Sequence, residues 1–255
     1  MRIGLKTYGQ ILLLLAMVLA FSTPSPQPVE ARQLNKIISV DSRLKSNGFK
    51  RGMPMLIRIF KKEGELEIWL KRNGRYHLFD IYDICAWSGK LGPKLAEGDK
   101  QAPEGFYEFS SKQLNPRSRY FRSFNLSFPN AYDRAHGRTG SYLMVHGACE
   151  SIGCYAMTDP GIKDIYALVV SSLGSGQKSI SVHIFPFRMT KQAMKEVKGH
   201  KWESFWHSLK KGHDWFERER IAPAVGVCNK KYVVGRAKQL KNCERISPHA
   251  EYQDD

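Results

Sequence analysis

The chain has no apolar run of the roughly 20 residues that a comfortable membrane-spanning helix requires. Its N-terminal run, Ile11 to Phe21, is too short and is followed by Pro24, Pro26 and Pro28. It shows no internal repeat and no low-complexity tract, which excludes a solenoid or array. Cysteine is sparse and odd in number, five in 255 residues, so at least one thiol is left outside any set of disulfides. None of the five precedes residue 32, which leaves a lipid-anchored start without support. Acidic residues are few, 24 against 40 Lys and Arg, giving a net charge of +16. A field of that size favours polyanions. No nucleic-acid recognition motif accompanies it, so no nucleic acid is expected as partner, and anionic cell-wall polymers or membrane surfaces are the better candidates.

What is present at the start reads as a secretory signal. Arg2 and Lys6 precede the apolar run, and Val29-Glu30-Ala31 places small residues where a signal peptidase cuts. We therefore expect residues 1–31 to be a signal peptide and the remainder to be exported to the periplasm. Those residues carry a net +1 (Arg2 and Lys6 against Glu30), so the mature chain keeps +15 of the +16. Export makes disulfides possible. Cys228 and Cys243, in a polar tail, form the natural pair. Cys85, between Ile84 and Ala86, reads as a small buried residue, and so does Cys149 in its loop.

Residues 32–54 form a polar, basic N-terminal segment with a weak helical pattern through Leu34, Ile37, Ile38 and Leu44. From Met53 the period changes to that of strands. Asn73-Gly74, between two alternating runs, predicts a β-hairpin. Short strands follow at 105–109, 124–128, 141–145 and 180–185. One helix is predicted over Asp164–Leu173, from the spacing of Ile165, Leu168, Val169 and Leu173, with Asp159-Pro160 as its start. Residues 189–217 are amphipathic and helical, rich in aromatics such as Trp202, Phe205, Trp206 and Trp215. Aromatics of this kind pack helices onto a core more often than they face a membrane.

The chemistry is concentrated in residues 145–157, Val-His-Gly-Ala-Cys-Glu-Ser-Ile-Gly-Cys-Tyr-Ala-Met. A nucleophilic cysteine needs a base, backbone N–H groups aimed at the developing oxyanion, and room for substrate. Cys154 is the nucleophile of this reading and His146 its base. The Gly147 carbonyl is free to orient the imidazole. Gly153 lets the chain turn, so that Gly153 and Tyr155 can present their N–H groups as the oxyanion hole. Ser151, Tyr155, Arg138 and Tyr120 are candidates for contacting substrate. A metal site built on Cys149, Cys154 and His146 is the rival reading, but it lacks a fourth ligand at the usual spacing. His136 and His183 are the next histidines.

These residues carry a resemblance. The His-Gly pair followed by Ser-x-Gly-Cys, here His146, Gly147, Ser151, Gly153 and Cys154, resembles the catalytic motif of the YkuD-type L,D-transpeptidase domain. Gly98-Asp99 followed by Ala102-Pro103-Glu104-Gly105-Phe106 resembles that family's upstream segment, with Ala102 where threonine is usual. Trp87-Ser88-Gly89, Phe128-Pro129-Asn130 and Phe185-Pro186-Phe187 are similar to its YafK-like subgroup. The resemblance implies a mainly β, α+β fold over residues 55–187. A helical C-terminal extension and polar tail would then occupy 188–255. It implies a cysteine acyltransferase acting on peptidoglycan stem peptides through a thioester, with no cofactor and no metal. The sequence departs from the family at Tyr155-Ala156, where many members carry an arginine linked to substrate binding. Some YafK-like proteins cleave peptidoglycan-linked bonds, so a wall-attached outer-membrane lipoprotein enters as an alternative partner. A non-catalytic wall-binding module is the reading from another class.

Overall fold

The computed structural model describes residues 38–246. The expected signal peptide, and Leu34 and Ile37 of the weak helical pattern, lie outside the described residues. The N-terminal helix that is described, Val40–Ser46 (α1), is capped by the Ser39 hydroxyl and turns Val40 and Leu44 into the core. Ile38, expected on its apolar face, is exposed.

Three strands follow, Met55–Phe60 (β1), Glu65–Arg72 (β2) and Arg75–Asp83 (β3). Asn73 and Gly74 connect β2 to β3 with φ of 51° and 80°. Two successive left-handed residues are what a tight hairpin turn of matching twist requires. Chain order then gives Ala86–Trp87 (β4), Gly105–Phe109 (β5), Leu114–Asn115 (β6), Ser123–Asn125 (β7), helix Ala131–Ala135 (α2), Met144–His146 (β8), Tyr155–Ala156 (β9), helix Asp159–Gly174 (α3) and Ile180–Phe185 (β10). The first sheet has the order β3-β2-β1-β10-β5, with only β1 and β10 parallel. The second has the order β4-β9-β8-β7-β6, with only β8 and β9 parallel. The fold is α+β, with the two sheets and α3 enclosing the main core.

All six residues of β1 are buried. Met55, Ile57 and Ile59 join the main core with Val145, Tyr155, Ile165 and Val169. The alternate residues Leu56 and Phe60 meet aromatics from helices beyond the domain boundary expected at 187. Those helices, Lys191–Glu196 (α4) and Glu203–Glu219 (α5), cover the other face of the first sheet through Met194, Phe205, Trp206, Leu209 and Phe216. Several of the polar groups trapped beneath them are paired. Arg58 binds Glu217 at 2.6 Å, Trp69 Nε1 donates to Glu67 at 2.7 Å, and Arg188 pairs with Glu65 and Glu67.

The polar tail needs correction. Ala224–Cys228 (β11), Lys231–Gly235 (β12) and Glu244–Arg245 (β13) form a three-stranded antiparallel sheet in the order β12-β11-β13. Val227 and Tyr232 join the α5 core. The hairpin turns on Asn229 and Lys230, both left-handed. These strands are only five, five and two residues long, and the turn between the longer two lacks the glycine that usually marks one. The Tyr232 hydroxyl accepts from Asn130 at 2.9 Å, tying this sheet to the start of α2.

Candidate active site

Parallel register between β8 and β9 pairs Val145 with Tyr155 and His146 with Ala156. Paired residues in a sheet direct their side chains to the same face, and neighbours along a strand alternate. Cys154 and Met144 therefore share the face that His146 occupies two residues further along. Short strands end here because the chain must turn into the loop 147–153. Gly147 has no room for a side chain, since a Cβ would lie 2.5 Å from Asp159 Oδ1 and 3.0 Å from the Tyr120 carbonyl. Gly153 adopts φ of 122°, where other residues are strained.

The His146 ring is almost fully buried. Its Nδ1 lies 2.7 Å from the Gly147 carbonyl, which can only accept, so Nδ1 carries the proton and Nε2 is left as the base. The Tyr120 ring leans on the imidazole at 4.7 Å between centroids. Burial lowers the His146 pKa below the ordinary 6.5, against the opposing Gly147 hydrogen bond. Burial also raises the Cys154 thiol above 9.0, opposed by the Met144 N–H and the Lys94 charge. Met144 N–H donates to the sulfur at 3.4 Å, and the thiol faces the Tyr142 carbonyl at 3.5 Å. At neutral pH the pair rests as thiol and neutral imidazole.

The loop between them is held at several points. Ala148 N–H donates to Asp159 Oδ1 at 2.8 Å. Ala148 and Cys149 are both left-handed, with φ of 63° and 58°. Cys149 forms a disulfide with Cys85, which sits just before β4, the strand that pairs with β9. Neither cysteine is the small buried residue expected, since both are exposed. The bond also removes Cys149 as a thiolate ligand for a metal. Cys154 is the one free cysteine, because a second disulfide joins Cys228 to Cys243. The single-residue context of Cys85 gave no sign of a partner 64 positions away.

Three side chains expected to contact substrate are engaged within the protein. The Arg138 guanidinium is buried, pairs with Asp133 at 2.7 Å, and lies over the rings of Tyr132 and Phe205, away from the loop. Tyr155 has no exposed surface, and its hydroxyl donates to the Pro103 carbonyl at 2.7 Å. Ser151 spends its hydroxyl on the Cys154 carbonyl at 2.7 Å and accepts from Gly153 N–H at 3.3 Å, so it shapes the loop. Tyr120 does stand at the site, partly exposed.

The upstream Gly98-Asp99 segment forms one wall. Burial raises the Asp99 pKa, but Lys94 and the N–H groups of Leu95, Ala96 and Gln101 outweigh it and hold the carboxylate below its usual range. Ala102 is fully buried in the main core. Behind it Lys61, also fully buried, donates to the carbonyls of Lys90, Gly92 and Ala102 and pairs with Glu104 at 3.1 Å. Trp206 of α5 donates to the other Glu104 oxygen at 2.8 Å. A cleft of about 250 Å³ opens over Cys154, lined among others by Lys94, Glu97, Lys100, Tyr142 and Ile152. Sequence reasoning missed Lys94, Glu97, Lys100 and Asp159 because their role depends on loops that meet only in the fold.

Residues 56–208 match the model of the YkuD L,D-transpeptidase catalytic domain. The chain is 51% identical over 185 residues to YafK of Escherichia coli strain K12, provisionally named an L,D-transpeptidase, covering 72% of this chain and 75% of that protein. The same figures hold for YafK of Escherichia coli O157:H7. Among solved structures, the helical cell shape determining protein Pgp2 of Campylobacter jejuni is similar at 20% identity and a TM-score of 0.43. That match covers 70% of this chain and 64% of Pgp2, less than two thirds of its length. The chain belongs to the YkuD L,D-transpeptidase catalytic domain family.

Proposed function

We propose that this protein is an exported L,D-transpeptidase-type cysteine acyltransferase that acts on peptidoglycan stem peptides in cell-wall biogenesis or remodelling. One observation carries the reading: the only free cysteine shares a sheet face with a histidine whose Nδ1 is fixed on a backbone carbonyl. His146 Nε2 takes the Cys154 proton as the sulfur attacks the carbonyl of the third stem residue. The long Gly153 contact to Ser151 gives way, and N–H groups around Gly153 to Tyr155 receive the oxyanion. The C–N bond then breaks, His146 returns the proton to the departing amine, and a thioester remains. An amine acceptor makes the enzyme a transpeptidase. The exported periplasmic setting is supported by two disulfides and by the basic charge.

A second reading, hydrolysis of the same kind of linkage with release of a wall-attached lipoprotein, is favoured by the fate of residues 155–157. Tyr155, Ala156 and Met157 are all buried. The positions where relatives place a carboxylate-binding arginine therefore offer substrate nothing here. Mass spectrometry of the products distinguishes the two. Stem tetrapeptides with an amine acceptor should yield amine-exchanged product. Release of free peptide from lipoprotein-bearing fragments, with no exchange on the tetrapeptide, would establish the hydrolase instead. Failure to process either substrate would leave the wall-binding module as the reading.

A further inference from the structure

The cleft over Cys154 carries both signs of charge on one loop. Lys100 and Glu97 line it together, three residues apart and both exposed. Their loop is anchored from beneath. Asp99 collects the N–H groups of Leu95, Ala96 and Gln101 and the Lys94 ammonium. The Ser88 hydroxyl donates to the Lys100 carbonyl at 2.7 Å, and Glu97 N–H donates to Thr139 Oγ1 at 3.1 Å. Lys94 is therefore spent on structure. Lys100 makes no ion pair among the described residues, and Glu97 holds only the Ser141 hydroxyl, at 3.2 Å on Oε2. A cation and an anion lining one cleft, on a fixed loop beside a nucleophile, complement a group that bears both charges.

We propose that Lys100 and Glu97 recognise the zwitterionic head of the acyl donor, a carboxylate and an ammonium on a single carbon. Such a head ends the side chain of a diaminopimelate residue, whose own carbonyl Cys154 attacks. The inference rests on the acyl-transfer reading and names which residues choose the donor. Lys100 takes the carboxylate and Glu97 the ammonium, replacing the arginine that this chain lacks after Cys154. The cleft, at about 250 Å³, suits one side chain rather than a glycan strand.

The test uses the purified exported protein and two stem tetrapeptides, identical except that the third residue is diaminopimelate in one and lysine in the other. Lysine keeps the ammonium and lacks the carboxylate. The wild-type protein should prefer diaminopimelate in kcat/KM by about 10-fold or more, the size of one charge-assisted contact. Lys100→Ala should abolish that preference by raising KM for diaminopimelate with kcat little changed, and Lys100→Arg should restore it. Glu97→Gln should raise KM for both substrates. Both side chains are exposed, so the variants keep the fold, which a melting curve verifies. An undiminished preference in Lys100→Ala overturns the proposal. If the wild-type protein acylates on neither stem, the acyl-transfer reading itself falls and takes this inference with it, an outcome visible before any variant is made.

Discussion

The activation proposed for Cys154 turns on the protonation states of two side chains. Burial lowers the His146 pKa below 6.5 and raises the Cys154 thiol above 9.0. Their resting state is therefore neutral, so in the proposed mechanism His146 acts as a general base during attack rather than stabilising a preformed thiolate. The acylation rate depends on the neutral imidazole, so it falls as pH drops through the His146 pKa. We predict a rate already at its plateau by pH 7, with the acid limb below pH 6.5. Single-turnover acylation across pH tests this, and an acid limb centred above 6.5 would contradict it. The proposed pairing of His146 with Cys154 is legible in the sequence because the motif is local. Arg138 was not, because nothing near it in the chain announces that Asp133, Tyr132 and Phe205 surround its guanidinium.

Elements matter through what pins them. The Cys85–Cys149 bond closes a 64-residue separation and ties the loop between base and nucleophile to the start of β4. Cross-links of that length stabilise by about 4 kcal/mol in the chain-entropy model. Cys149→Ser should lower the melting temperature and also reduce kcat, since Ala148 and Cys149 must stay left-handed to bring Gly153 into place. Loss of stability with kcat unchanged would show that the bond is only a staple. Trp206→Ala should cost about 3–5 kcal/mol, the range for a large buried aromatic, and would remove the indole donor from Glu104 Oε2. Chemical denaturation measures it. The hairpin at Asn73-Gly74 was readable because its turn chemistry is explicit. The Asn229-Lys230 hairpin was not, since left-handed residues without glycine leave no local signal. Helix α3 begins at Asp159, five residues before the apolar spacing does, because the Thr158 hydroxyl caps it and Pro160 sits in its first turn.

For the molecule as a whole, covering both faces of the first sheet fixes the acid limit of stability. His183 lies beneath α5 against Phe106, Phe185 and Phe216. Burial, with the Arg58 and His213 charges beside it, lowers its pKa to about 3. The unfolded chain binds the proton near 6.5, so this contribution to stability is full above pH 6.5 and is lost as pH falls towards 3. Unfolding free energies should decline over that window, and His183→Phe should flatten the slope, because Nδ1 has no hydrogen bond to lose. An unchanged slope would place the acid sensitivity elsewhere. The aromatics of residues 189–217 predicted helices packed onto the core, but not which sheet face they would cover. The charged residues Arg58 and Glu67 of the first sheet are buried, with Arg58 paired to Glu217 of a helix lying beyond the expected domain boundary, a pairing that their strand alternation does not encode. The central claim is a thioester on Cys154, and intact-protein mass spectrometry after brief exposure to stem tetrapeptide tests it most directly. The account predicts an adduct with the mass of the acyl tripeptide, mapped to Cys154 and absent from a folded Cys154→Ala variant that also shows no turnover. Turnover persisting in that variant would contradict it.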